Sequence, residues 1–170
     1  MNENPVSVQL FFWLRVANRR LPIEHAMREG EQPEPGFGMV SETELEEFAT
    51  WRSELTEQYR KEGEEMHAAI LITNERGEKF VYFDAFTHLR RIVCEGPSAV
   101  RAGERFQQLS WQYSGTFTMT PSGVKSIQLT APHEEISELI VDKDGFLAAL
   151  DQACVRANDL LSRIATASSV

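Results

Sequence analysis

The stretch VSETELEEFATWRSELTEQYRKEG (residues 40–63) is followed after three residues by HAAILITNERGEKFVYFDAF (67–86). In the first, Leu45, Phe48, Trp51, Leu55 and Tyr59 recur at helical spacing and make one apolar stripe. Ser41 and Glu44 have the form of a capping box, and Val40 and Leu45 occupy the two positions of a hydrophobic staple. Glu42, Glu44, Glu46 and Glu47 stand at the positive end of the helix dipole, with Arg60 and Lys61 at the negative end. Gly63 suits the residue just past a helix, where a positive φ is common. The reading is a single helix over 42–62, about 31 Å long at roughly 1.5 Å per residue. In the second stretch, apolar runs at 67–73 and 79–86 flank Asn74-Glu75-Arg76-Gly77-Glu78, a loop of hairpin length containing Gly. A helix beside antiparallel strands sets the class as α+β.

Outward from this pair, residues 6–16 alternate apolar and other residues. Phe11 and Trp13 on the second face predict a strand covered on both sides. Pro22 opens a short helix to about Arg28, and the Pro- and Gly-rich run 29–38 reads as a loop. Residues 89–94 read as a further strand or a continuation, Glu95-Gly96-Pro97-Ser98 as a turn, and 99–105 stays ambiguous. Alternation over 106–120, a turn at Thr120-Pro121-Ser122-Gly123, and strands at 124–130 and 136–141 follow. A closing helix runs over 143–165, with Leu147, Leu150, Cys154, Ala157, Leu161 and Ile164 on one face. The expectation is one domain over 1–170, frayed at 1–4 and 166–170. Its core is a mostly antiparallel sheet of about six strands, with a long amphipathic helix before the central strands and another at the C-terminus.

Composition bounds the function. The 170 residues are 42% hydrophobic and 25% charged, which fits a globular chain. The net charge is -9 and the pI near 5.0. That balance argues against nucleic acid, whose phosphates need a basic stripe, and against an anionic membrane surface. The longest apolar run, Leu10 to Leu14, is far short of the roughly 20 residues of a membrane span. The opening Met-Asn-Glu-Asn-Pro has no basic n-region, which argues against a secretory signal. Cys94 and Cys154, sixty positions apart, read as buried free thiols, with a disulfide between them the alternative. The expected compartment is the cytoplasm.

Chemistry-bearing motifs are few. There is no Gly-x-Ser-x-Gly elbow, no Cys-x-x-Cys and no His-Glu-x-x-His, so no catalytic residue, metal ligand or cofactor site is assigned. Asp142-Lys143-Asp144-Gly145 has the opening of a calcium loop, but its Gly comes too early and the distal Glu is missing; an N-cap for the last helix fits better. Asp84 and His88, with Arg91 near, are the nearest approach to an acid–base pair.

The strongest feature is charge. Residues 28–66 hold twelve acidic and four basic residues, a balance of -8 out of -9 for the whole chain. Glu46, Glu47, Glu54 and Glu57 fall on the outward half of the helix, and Glu29, Glu31 and Glu34 add an acidic loop. Arg residues elsewhere in the chain, such as Arg15, Arg90 and Arg91, are the candidates to neutralise them. Such a surface steers and holds a basic partner. In being small, acidic, single-domain and motif-free, the chain is similar to the immunity proteins that bacteria use against secreted toxins. That similarity of character implies carboxylates presented to a basic, nuclease-like site, with Glu31, Glu34, Glu46, Glu47, Glu54 and Glu57 in contact. Two alternatives stand beside it. One is a small enzyme or ligand-binding domain with a pocket at Asp84, His88 and Arg91. The other is a homo-oligomeric scaffold in which Trp111 and Tyr113 make contact.

Overall fold

β1 (Ser7–Leu14) is central in its sheet because both its faces are apolar. Val8, Leu10, Phe12 and Leu14 point into one large core cluster, while Phe11 and half-buried Trp13 join a second cluster on the opposite face. The computed structural model describes residues 5–15, 38–110, 115–132 and 138–168. In the first sheet β1 lies between β2 (Gly38–Ser41) and β3 (His67–Thr73), and β3 pairs in turn with β4 (Lys79–Ala85). The second sheet is a simple meander of β5 (Phe106–Leu109), β6 (Thr116–Ser122), β7 (Ser126–Thr130) and β8 (Glu138–Asp142). Every pairing in both sheets is antiparallel.

The α+β class holds, but the strands form two four-stranded sheets instead of one sheet of about six. The second departure lies at α2 (Phe86–Arg101), which replaces the strand and turn read at 89–98. Phe86, Leu89, Val93, Gly96, Pro97 and Val100 are all buried at helical spacing, and this stripe overrides the turn signal of Gly-Pro. Gly96 has its own reason to be there. A Cβ at this position would lie 2.0 Å from the Met119 methyl, so any side chain here would have to displace the end of Met119 where α2 meets β6. In this way α2 packs on β3 and β4 of the first sheet and on β5 and β6 of the second. The large core cluster runs through both sheets and all three helices.

The third departure concerns residues 42–62. The chain makes a turn at 42–44, a short 3-10 segment at Leu45–Glu47, and only then α1 (Trp51–Glu62). The capping box does not form, because Ser41 ends β2 and its hydroxyl serves the turn at Thr43 instead. The Glu42 N–H donates to the Leu10 carbonyl at 2.8 Å, so residue 42 extends the sheet rather than opening a helix. The apolar stripe survives the break. Leu45, Trp51 and Leu55 are buried, with Phe48 and Tyr59 packed at the edge. Burying each large side chain contributes about 1.5–3 kcal/mol, more than the propensity lost at the break. Gly63 caps α1 with φ of 63°, as its position predicts.

α3 (Lys143–Ser168) begins where expected. Asp142 Oδ2 accepts the Gly145 N–H at 2.9 Å, so the Asp-x-Asp-Gly run is a helix cap. Cys94 on α2 and Cys154 on α3 form a disulfide with Cα atoms 4.9 Å apart. This corrects the reading of two free thiols; spacing along the chain gives no sign that the two helices lie side by side. The outer edge of β8 is tied to the β3–β4 loop, where the Asn74 amide donates to the Ile140 carbonyl and Glu75 accepts the Asp142 N–H. No helix among the described residues is long and apolar enough to cross a membrane. The helix read after Pro22, Glu29, Glu31, Glu34, Trp111 and Tyr113 lie outside the described residues.

Candidate functional site

The acidic segment is docked through Leu45, Trp51 and Leu55, which fixes its carboxylates in space. Several carry partners from elsewhere. Glu46 pairs with Arg163 of α3 at 2.7 Å, which lowers its pKa, chiefly through that hydrogen bond. Glu57 is clamped by two guanidinium nitrogens of Arg60, Nε and one terminal nitrogen, at 3.0 and 2.7 Å, with Lys61 at 3.5 Å. Its pKa is lowered, mainly by the Arg60 hydrogen bond. Glu54 accepts the Arg15 backbone N–H and the Thr50 hydroxyl. Glu64 binds Arg90 at 2.6 Å. Glu47 is exposed. Glu62 and Glu65 are exposed and make no ion pair or side-chain hydrogen bond among the described residues.

Glu42 differs from all of these. Its side chain is only 4% exposed, and Oε1 accepts from Arg156 Nε at 2.9 Å and from the Leu10 N–H at 3.4 Å. A second Arg156 nitrogen donates to the Val8 carbonyl, so one guanidinium joins α3, β1 and the turn after β2. Oε2 is buried without a donor. Burial raises the Glu42 pKa and outweighs the nearby Arg156 charge, which lowers it. Glu42 lines a groove of about 300 Å³ with Leu45, Glu46 and Trp51 on one side and Val155, Arg156, Asp159, Leu160 and Arg163 of α3 on the other. The Arg163 guanidinium also lies 4.9 Å from the Trp51 ring centroid. Sequence reading passed over this groove. Its signal is Arg156, Asp159 and Arg163 on one face of α3, at spacings of three and four.

The other candidate cluster is at the start of α2. The Asp84 side chain is wholly buried and bonded to the Tyr82 hydroxyl at 2.5 Å, the Ala85 N–H at 2.7 Å and His88 Nδ1 at 3.0 Å. His88 is 23% exposed. Asp84 and His88 therefore meet as an acid–base pair would. Arg91 does not join them; it reaches Glu95 at 2.9 Å and Gln108 at 2.6 Å. Neither Asp84 nor His88 lines the groove. Among the described residues no group of three or more His, Cys, Asp and Glu is placed to hold a metal. Comparison with known protein families, curated proteins and solved structures finds no match.

Proposed function

We propose that this chain is an acidic protein-binding module that occludes a basic partner domain, in the manner of an immunity-type inhibitor. The observation that carries this reading is an acidic segment docked rigidly on the core. Residues 42–65 hold nine acidic and three basic groups. Arg90, Arg156 and Arg163 fold against Glu64, Glu42 and Glu46. The segment is thus written with nine acids against three bases, its apolar side is locked into the core, and Glu62 and Glu65 stand exposed at its end. A rigid surface of that sign concentrates a basic partner and loses its pull as salt rises. Glu46, Glu47, Glu54 and Glu57 are the contacts this reading assigns, with Glu31 and Glu34 beside them and exposed Glu62 and Glu65 extending the patch.

The partner is a basic protein, and no cofactor, metal, nucleic acid or membrane takes part. The cytoplasmic placement belongs to the same reading with one condition. A disulfide between Cys94 and Cys154 forms where thiols are not held reduced, so in a reducing compartment α2 and α3 must hold together as thiols.

The test is association with the basic domain encoded in a neighbouring reading frame, followed by stopped flow at low and high salt. Replacing Glu46, Glu47, Glu54 and Glu57 by Lys is expected to slow association on the order of tenfold or more at low salt. An unchanged on-rate would rule out this surface as the contact. A second reading, a small enzyme or ligand-binding domain, is favoured by the buried Asp84 carboxylate holding His88 Nδ1. It predicts a His88-dependent activity that Asp84→Asn reduces without unfolding the chain.

A further inference from the structure

We propose that the groove between the Leu45–Trp51 segment and α3 receives one basic side chain, a lysine or arginine, as the anchor of the partner. This inference rests on the occlusion reading above and deepens it. The groove is near the lower end of the size range for ligand sites, about 300 Å³, which suits one long side chain rather than a peptide segment. Leu45, Trp51, Leu160 and the exposed Val155 offer apolar walls for a methylene stem. Glu42 is among the lining residues, and its Oε2 is buried and lacks a donor among the described residues. A buried acceptor without a donor is a standing penalty, and a charged N–H donor relieves it better than any neutral group.

The choice of a cation over an anion follows from the lining. Glu42, Glu46 and Asp159 face Arg156 and Arg163, one negative charge in excess. Both guanidiniums are already turned on acceptors, Arg156 on Glu42 and the Val8 carbonyl, Arg163 on Glu46. An incoming anion would meet three carboxylates, whereas an ammonium or guanidinium brings the groove to neutrality. The raised pKa of Glu42 agrees with a carboxyl short of one partner.

The experiment uses the full chain, labelled with nitrogen-15, titrated with N-acetyl-lysine methylamide and separately with N-acetyl-norleucine methylamide. The two probes share the stem and differ in the charged head. The lysine probe is expected to shift the Trp51 indole and the Leu160 amide saturably, binding about tenfold tighter than the norleucine probe. Glu42→Gln should weaken the lysine probe about tenfold, since a neutral amide replaces the carboxylate. Val155→Trp fills the groove from an exposed position without disturbing the core, and should abolish the shifts. Equal shifts by both probes, no saturable shift, or a saturable response to acetate alone would each overturn the inference. The partner domain separates this idea from the one beneath it. If the domain binds with steep salt dependence yet binds Val155→Trp and Glu42→Gln as tightly as the parent chain, the groove is not the anchor and occlusion stands. If the lysine probe fills the groove while the basic domain fails to bind, the groove stands as a cation site and occlusion falls.

Discussion

His88 Nδ1 lies 3.0 Å from Asp84 Oδ1, across the first turn of α2. The same carboxylate accepts from Tyr82 and from the Ala85 N–H, so one buried acid ties the end of β4 to the start of α2. Asp84→Ala removes the buried acceptor of the Tyr82 hydroxyl and the Ala85 N–H, and is expected to cost about 3 kcal/mol. Tyr82→Phe and His88→Ala each remove one donor and should cost about 1 kcal/mol. Urea unfolding of the three variants gives the order. A neutral Asp84→Ala would mean that the carboxylate does not join the two elements.

What the sequence made legible was what repeats. β1, β3, β4 and α3 sit within three residues of their expected ends because alternation and helical spacing are local patterns. α2 was hidden by Gly96-Pro97, residues that read as a turn until Met119 is seen against the helix. The acidic character of residues 42–65 was legible by counting, but the role of Glu42 was not. In the sequence it is one carboxylate in a run. In the fold its side chain is only 4% exposed and bound to an arginine 114 residues away. Long-range pairs such as this, and the disulfide, depend on which helices become neighbours, and periodicity says nothing of that.

Glu42 gives stability a pH dependence with a definite sign. Its folded pKa is raised above 4.5 by burial, so the folded chain holds this proton more tightly than the unfolded chain does. Its contribution is full below the unfolded value and is lost as pH rises through the folded one. Glu46, Glu57 and Glu78 act the other way, since their pKa values are lowered by hydrogen bonds and charges nearby. Theirs is present above 4.5 and lost as pH falls through the folded values. The stability of the parent chain relative to Glu42→Gln should therefore fall as pH is raised from about 4 to about 7. Urea unfolding at stepped pH measures it, and a flat difference would count against the burial of this group.

Arg163 neutralises Glu46 and lies over Trp51, both at the edge of the acidic surface. The ion pair is exposed on the Glu46 side, so its net worth is small, and the cation–π contact adds about 0.5–1 kcal/mol. Arg163→Gln is expected to cost about 1 kcal/mol in stability. It also releases a carboxylate to the surface. If the surface steers a basic partner, association should quicken severalfold at low salt and show no gain at high salt. A slower on-rate would place the contact elsewhere.

The disulfide between Cys94 and Cys154 closes a loop of 60 residues and joins α2 to α3, which the exposed Arg101–Asp151 pair also joins. In the chain-entropy account, a loop of that length restricts the unfolded state by about 4 kcal/mol, less whatever structure the unfolded chain retains. Against a total stability of about 5–15 kcal/mol, that is a large share. Yet Leu89, Ile92, Val93 and Val100 of α2 and Leu150, Ala153, Ala157 and Leu160 of α3 are all buried, and reduction removes none of these apolar side chains. The reduced chain should therefore stay folded. A Cys94→Ala, Cys154→Ala double variant is expected to unfold at lower urea with nearly the same far-ultraviolet circular dichroism. Adding dithiothreitol to the parent chain should reproduce its midpoint, whereas dithiothreitol should leave the double variant unchanged. Loss of the folded signal on reduction would show instead that the bond, rather than the apolar contact, holds α3 in place. The chain would then be confined to an oxidising compartment.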